Sequence, residues 1–239
     1  MAKISIVIPV YNQNESLALV LRSIKQQTFK DIEVIVVDDG SVNPVSGELL
    51  RKTLGDFPHI LVNQENAGAS AARNKGFSLV RGEMVIFWDA DLVAQPSFLE
   101  KMFQVLQDNP GLSFVYCNYN LANGRLMRGR LFSQLSLQVG NYIPTTSLIR
   151  CQDFPGFDES LKRFQDWDLW LTMAEQGKQG CWLDENLLQE QKSDQKISYW
   201  LPRFAYHFPC RYLPGVCHRV RAYEEARAIV RRKHGLFVS

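Results

Sequence analysis

In the first 120 residues, short apolar, β-branched runs alternate with stretches of helical spacing, and nothing else in the chain constrains its fold as strongly. Residues 4–10 (ISIVIPV), 32–41 (IEVIVVDDGS), 59–63 (HILVN), 83–91 (EMVIFWDAD) and 112–119 (LSFVYCNY) read as strands. Between them Leu17, Val20, Leu21 and Ile24 recur at helical spacing, with Ser16 in the N-cap place. Leu49, Leu50 and Leu54 mark a second helix and residues 68–80 a third, built of small residues. Pro96 opens a fourth, stopped by Asn109-Pro110-Gly111. Strands that are apolar throughout need cover on both faces, and strand–helix alternation makes neighbouring strands parallel. The expected fold is α/β, a mostly parallel central sheet with helices on both faces.

In such sheets ligands bind outside the carboxyl ends of the strands. Pro9-Val10-Tyr11-Asn12 follows the first strand, Asp38-Asp39 the second and Asp89-Ala90-Asp91 the fourth. Polar groups from three strands thus meet at one edge, which is the expected site. The second half is less regular. Residues 128–140 form a weak amphipathic segment, 141–150 a short strand and 153–160 (DFPGFDES) a turn. In residues 165–177, Trp167, Trp170, Leu171 and Ala174 follow the i, i+3, i+4, i+7 rule and Gly177 closes a helix.

The 239 residues, 46% apolar and 22% charged, suffice for one large domain with a real core and exclude disorder or coiled coil for the whole. The net charge of +2 hides a split: residues 1–200 carry 19 basic and 23 acidic groups, residues 201–239 carry 8 and 2. An acidic body speaks against nucleic-acid binding. The basic, aromatic-rich extension, with Tyr199, Trp200, Phe204, Tyr206, Phe208 and Tyr212 in or beside it, suits either a helix packed on the body or peripheral contact with an anionic membrane. Five scattered cysteines without a CxxC pair read as reduced thiols, not a zinc site or disulfide framework. The opening MAKISIVIPVYN lacks the marks of a signal peptide, and no run nears the ~18 apolar residues of a membrane span. The expected location is the cytoplasm.

Asp89 and Asp91, one residue apart at a strand end, are hard oxygen donors of the kind Mg²⁺ or Mn²⁺ takes together with phosphate oxygens and water. The plain alternative is a solvated strand end. Asp38 and Asp39 are placed to accept a nucleobase imide N–H or a ribose hydroxyl, or simply to build the turn that DDGS favours. Arg73, in a helix of small residues, suits a phosphate or base, or a helix surface. Asp166 lies in the first turn of the Trp-rich helix, where the dipole favours a charged carboxylate of low pKa. An ionised carboxylate facing a hydroxyl is a general base. Asp168 points elsewhere, and Trp170 shares the side of Asp166.

ISIVIPVYNQNESL, IEVIVVDDGS, NQENAGASAARNKG, VIFWDADLVAQPSFLE and GFDESLKRFQDWDLWLTMAEQG, in this order, resemble the inverting nucleotide-sugar glycosyltransferases of family 2, which have the GT-A fold. The resemblance runs from about Ile4 to Asn186. It implies a GT-A domain over residues 1–200, with a nucleotide-binding half (1–120) and an acceptor and catalytic-base half (121–200), followed by an extension (201–239). Carried over residue by residue, it implies that Pro9, Tyr11, Asp39 and Arg73 line the nucleoside, with Asp38 supporting that loop. Asp89 would touch the ribose or the metal shell, and Asp91 would bind a divalent cation, Mn²⁺ or Mg²⁺, at the diphosphate. Asp166 matches the general base. The implied reaction moves a sugar from a nucleoside-diphosphate-sugar, UDP-sugar foremost, to a hydroxyl acceptor with inversion, in cell-surface polysaccharide or glycoconjugate synthesis. The acceptor would be a saccharide, free or linked to lipid or protein.

The sequence departs from the family pattern at Gln165, where an acid usually precedes the base, and at Gln191-Lys192-Ser193, where a His is common. Lys192 is one replacement for a His as a phosphate contact. These departures keep open a non-catalytic nucleotide-sugar-binding module. A sugar nucleotidyltransferase ranks lower, because YNQNESL offers no Gly-rich phosphate loop.

Overall fold

The computed structural model describes residues 2–192 and 216–236. The alternation in its first half becomes the parallel part of a single sheet. β1 (Ile4–Val10) lies between β2 (Ile32–Asp38) and β4 (Met84–Phe87), and β3 (His59–Asn63) extends the sheet beyond β2. The crossovers carry α1 (Asn14–Lys25), α2 (Gly47–Leu54) and α3 (Ala69–Phe77). The period of two along each strand divides the core. Ile4, Ile6, Ile8, Val34 and Val36 pack with Leu17, Val20 and Leu21 of α1 and with Leu50 and Leu54 of α2 on one face. Val7, Ile35, Val37 and Phe87 join Ala72 of α3 on the other.

Beyond β4 the sheet becomes mixed. β5 (Leu92–Ala94) is followed by α4 (Phe98–Asp108), β6 (Phe114–Asn120), β7 (Leu126–Met127), α5 (Gln134–Val139), β8 (Leu148–Arg150), α6 (Gln165–Glu175), β9 (Gly180–Glu190) and α7 (Val216–Lys233). The order across the sheet is β3-β2-β1-β4-β8-β6-β9-β5, with β7 paired to β6. β8 is antiparallel to both neighbours, while β9 runs parallel to β6 and antiparallel to β5. Trp167, Trp170, Leu171 and Met173 of α6 are buried with Phe114, Tyr116 and Ile149 on the α3 face. The sheet is continuous across residue 120, since β8 and β9, which follow that position, pair with β4, β5 and β6, which precede it.

Several expectations need correction. Ser16 is not the cap of α1: the helix starts at Asn14, and the Ser16 hydroxyl donates to the Gln13 carbonyl from inside the first turn. The strand expected over 83–91 stops at Phe87, because the chain must turn at Asp89-Ala90-Asp91 to enter β5. Only residues 134–139 of the 128–140 segment are helical, with Ser133 as cap. The 11-residue β9 was not expected at all. Its pairing with β6 shifts register at Cys117/Asn118 and again at Asn118/Tyr119, which breaks the alternation a strand reading depends on.

Gly76 explains how closely α3 sits on the sheet: a Cβ there would lie 2.3 Å from Cγ1 of Val7. Gly76→Ala overpacks this contact, and a destabilisation of about 1–3 kcal/mol is expected. The thermal midpoint, which moves roughly 2–4 °C per kcal/mol at this chain size, is the check. An unchanged midpoint would mean that α3 can lift without cost.

Among the described residues no helix is long and apolar enough to cross a membrane. The aromatic stretch from Tyr199 to Tyr212 and Ser193 lie outside the described residues. The rest of the basic extension forms α7, whose Val220 and Val230 are buried.

Candidate functional site

The carboxyl edge of the parallel strands is built by loops that hold one another. Asn12 follows β1 in the left-handed region at φ 53°. Its N–H donates to the Ser41 hydroxyl (2.9 Å), and its Oδ1 accepts from the Val42 N–H (2.8 Å). Asp38 faces into its own loop, accepting from the N–H groups of Ser41 (2.9 Å) and Val45 (2.7 Å). Asp39 is 3% exposed. Its Oδ1 accepts from Gln64 Nε2 and the Ala67 N–H, both at 2.8 Å, and its Oδ2 from the Gly68 N–H at 2.9 Å. Asp39 therefore fixes the entry to α3, and Oδ2 keeps a free lone pair. Beside them Pro9 is half-buried and Tyr11 is 40% exposed.

α3 ties this edge to the second half. Arg73 is buried, donates to Asp89 Oδ1 at 2.8 Å and lies 5.3 Å from the centre of the Phe157 ring. Its Nε and the Ser70 hydroxyl are buried with no partner among the described residues. Orphaned buried donors are costly, and they mark where a polar ligand group would be satisfied. The next residue, Asn74, exchanges two hydrogen bonds with the backbone of Phe157 in the GFDES turn.

Asp89 and Asp91 occupy the turn between β4 and β5. The Asp89 N–H donates to the Thr146 hydroxyl (3.3 Å), and the Asp91 carbonyl accepts from the Gln191 N–H (2.7 Å), so the residue after β9 lies beside Asp91. The described residues hold no cluster of three His, Cys, Asp or Glu side chains suited to a metal ion. What they offer is a pair of hard carboxylates, Asp89 being ion-paired with Arg73. That donor set fits Mg²⁺ or Mn²⁺ when most of the coordination comes from diphosphate oxygens and water. Lys192 is exposed after β9.

Asp166 lies in the first turn of α6, two residues after Phe164, which caps the helix in the left-handed conformation at φ 61°. Its Oδ1 accepts from the Trp167 N–H (2.8 Å) and its Oδ2 from Asn141 Nδ2 (2.7 Å). Asn141 cannot turn its amide over, because Ile143 donates to its Oδ1 (3.1 Å) and accepts from its Nδ2 (3.0 Å). The low pKa expected from the helix dipole is corrected here. Burial pushes the Asp166 carboxyl above its ordinary value, and nearby Asp89 pushes the same way. The Trp167 N–H, Arg73 and Asn141 only partly offset this. A raised carboxylate is the stronger base. Gln165 donates to the Leu161 carbonyl and supports the turn before the helix. Trp170 is fully buried, donates to the Ile143 carbonyl and packs 4.8 Å from Phe114, so it belongs to the core.

Sequence reasoning missed Asn74, Asn141, Thr146 and Tyr119. Burial, then Asp166, Glu190 and Asp89, push the Tyr119 phenol to about 12, so it stays protonated beside three acids. The Asn-Tyr pair at 118–119 reads as strand, and the extra residues that β9 carries opposite it are set by a distant partner. Asn141→Ala should raise the Asp166 pKa further by removing a donor to its charged form. The acid limb of the pH–rate profile should then move to higher pH. An unmoved limb would detach Asn141 from the base.

Residues 5–161 match the family model described as Glycosyl transferase family 2. The chain belongs to glycosyltransferase family 2. Asp166 and β9 lie beyond the matched stretch. Among its relatives is the uncharacterized glycosyltransferase YibD of Escherichia coli K12, 36% identical over 118 residues that make up 48% of this chain and 33% of that one. The chain thus spans about a third of that relative's length. The fold of this family-2 chain is that of two solved structures. One is TarS 1–349 from S. aureus in complex with UDP-GlcNAc (TM-score 0.69, 20% identity, 93% of this chain and 66% of that one). The other is the mannosyltransferase PcManGT from Pyrobaculum calidifontis in complex with GDP-Man and Mn²⁺ (TM-score 0.67, 18% identity, 99% and 76%). The GT-A architecture expected from the motifs is thereby shown.

Proposed function

We propose that the chain is a metal-dependent inverting glycosyltransferase that moves a sugar from a UDP-sugar to a hydroxyl acceptor. The observation that carries this reading is the Asp166 carboxylate, held by Asn141 and the Trp167 N–H, with its pKa coupled to Arg73 and Asp89 at the strand edge. That proximity supports reading the base and the strand edge as parts of one site. TarS, which shares the fold, was solved with UDP and with UDP-GlcNAc.

In this reading Pro9 and Tyr11 flank the base, and the free lone pair of Asp39 Oδ2 takes its imide N–H. Asp38 holds the loop in place. Arg73 meets the donor with its unpartnered Nε. Asp91, with Asp89 beside it, would hold Mn²⁺ or Mg²⁺, which when bound neutralises the diphosphate charge that grows on departure. Asp166 takes the proton of the acceptor hydroxyl as that oxygen attacks the anomeric carbon from the face opposite the nucleotide. Tyr119, kept as a phenol, can donate a hydrogen bond to the acceptor or to one of the carboxylates. Acceptors in cell-surface polysaccharide or glycoconjugate synthesis fit a hydroxyl-directed base.

The test is nucleotide release from a panel of UDP- and GDP-sugars with Mn²⁺ or Mg²⁺, with saccharide and lipid-linked acceptors. Turnover with a UDP-sugar supports the reading. Metal-dependent UDP binding by calorimetry without turnover across the panel would favour a binding module. Preference for a GDP-sugar would overturn the donor assignment.

A further inference from the structure

Among the described residues, α7 and the residue after it meet the body at three places that bear on Asp166. The Tyr223 ring lies 5.0 Å from that of Phe164, at 69°, and Phe164 is the left-handed cap of α6 two residues before Asp166. A non-glycine residue at positive φ persists only where its surroundings hold it, and Tyr223 is one of the groups that do. Arg227 donates to the Val139 carbonyl (3.1 Å), at the end of α5 and two residues before Asn141. Lys233 and His234 close on Asp168, two residues after Asp166: Lys233 Nζ lies 2.9 Å from Oδ2 and His234 Nε2 2.9 Å from Oδ1. Lys233 also reaches Asp158 (2.7 Å), and His234 Nδ1 reaches Glu175 (2.8 Å). Both ring nitrogens of His234 thus face carboxylates, which only accept, so the ring must carry both protons. The side chains of Asp168 and His234 are 4% and 2% exposed, while Lys233, Asp158 and Glu175 reach the surface, so the charge cluster is buried at its centre and open at its rim.

We propose that α7 is a brace for the base: through Tyr223, Arg227 and the Lys233–His234 pair it fixes the three segments that set the position of the Asp166 carboxylate. This rests on the reading of Asp166 as general base. Tyr223, Asp168, Lys233 and His234 touch no reacting atom, so they are positioning residues. A base held within a fraction of an ångström is what in-line attack requires, and a misplacement of about 1 Å costs on the order of 10²-fold in rate. The basic excess of the C-terminal region thereby gains a task in the body.

The test compares the full chain with Tyr223→Ala and Asp168→Asn, the second of which removes a buried charge without leaving one unpaired. Ile229→Ala, at an exposed position of α7, is the control. Amide hydrogen exchange is read by mass spectrometry, UDP binding with Mn²⁺ by calorimetry, and kcat and donor KM with the UDP-sugar that gives turnover. Expected in both variants is faster exchange over residues 164–171, with α3 unchanged, and kcat per UDP-binding site at least tenfold lower at unchanged donor KM. Ile229→Ala should match wild type. Unchanged exchange over 164–171 would overturn the proposal. So would kcat that falls only in proportion to UDP-binding sites, which is the mark of general unfolding. Full turnover in Asp166→Asn would overturn the base reading instead, and exchange in the α7 variants would still report whether the helix braces that turn.

Discussion

Asp166→Asn is expected to lower kcat by on the order of 10³-fold while leaving UDP binding within about twofold of wild type. Removing a general base costs 10²–10⁴-fold. Asparagine keeps the size of the side chain, and its oxygen can still accept from the Trp167 N–H; its amide nitrogen then faces the Asn141 amide, so that one bond is lost while the helix start should hold. The wild-type pH profile belongs to the same prediction. The base works only when ionised, so kcat should fall as pH drops through the pKa of Asp166. Burial and Asp89 raise that pKa, so the fall should come at higher pH than for an ordinary aspartate. In the Asn variant the residual rate should lose this limb. Turnover and calorimetry across pH check both points, and a variant within tenfold of wild type would sink the assignment.

Asp91→Ala should be almost as severe, by a different route. It removes the carboxylate of the strand-end pair that Arg73 does not occupy, leaving Asp89 with its existing ion pair. Preorganised charge at a departing group is worth about 10²–10³-fold in rate per contact. The variant should lose that much turnover and most of the gain in UDP affinity that Mn²⁺ confers. Its affinity for UDP in the presence of a chelator should match wild type. Equal Mn²⁺ enhancement in both proteins would place the cation elsewhere.

Much of this was legible in the sequence because it rests on local chemistry. The parallel strands, their order of appearance and the polar residues at their ends follow from apolar runs and turn residues in segments of five to ten. The acidic turn at Asp89–Asp91 and the helix of Asp166 were visible for the same reason. What stayed hidden depends on distant partners. The role of Asn141 exists only because α5 packs on α6, and that of Asn74 only because the GFDES turn returns to α3. The pKa of Asp166 depends on how much water the fold removes, which outweighs the helix end that the sequence reveals. β9 was missed because two register shifts against β6 erase its period. The pairs that Lys233 and His234 make with Asp168 join residues more than 60 positions apart.

β9 also fixes where this protein can be cut. Among the described residues β5 pairs with no strand but β9, and β6 uses β9 as its parallel partner. A fragment ending where the family match ends, at Leu161, keeps the motifs of the nucleotide edge but strips one side of the sheet. It would carry two open strand edges next to Leu92 and Tyr116, and open edges recruit other chains. Such a fragment should aggregate where the full chain stays monodisperse. The catalogue of motifs is therefore shorter than the unit that folds, and any family member trimmed to its motifs should be judged by whether it retains the strand that follows its base helix.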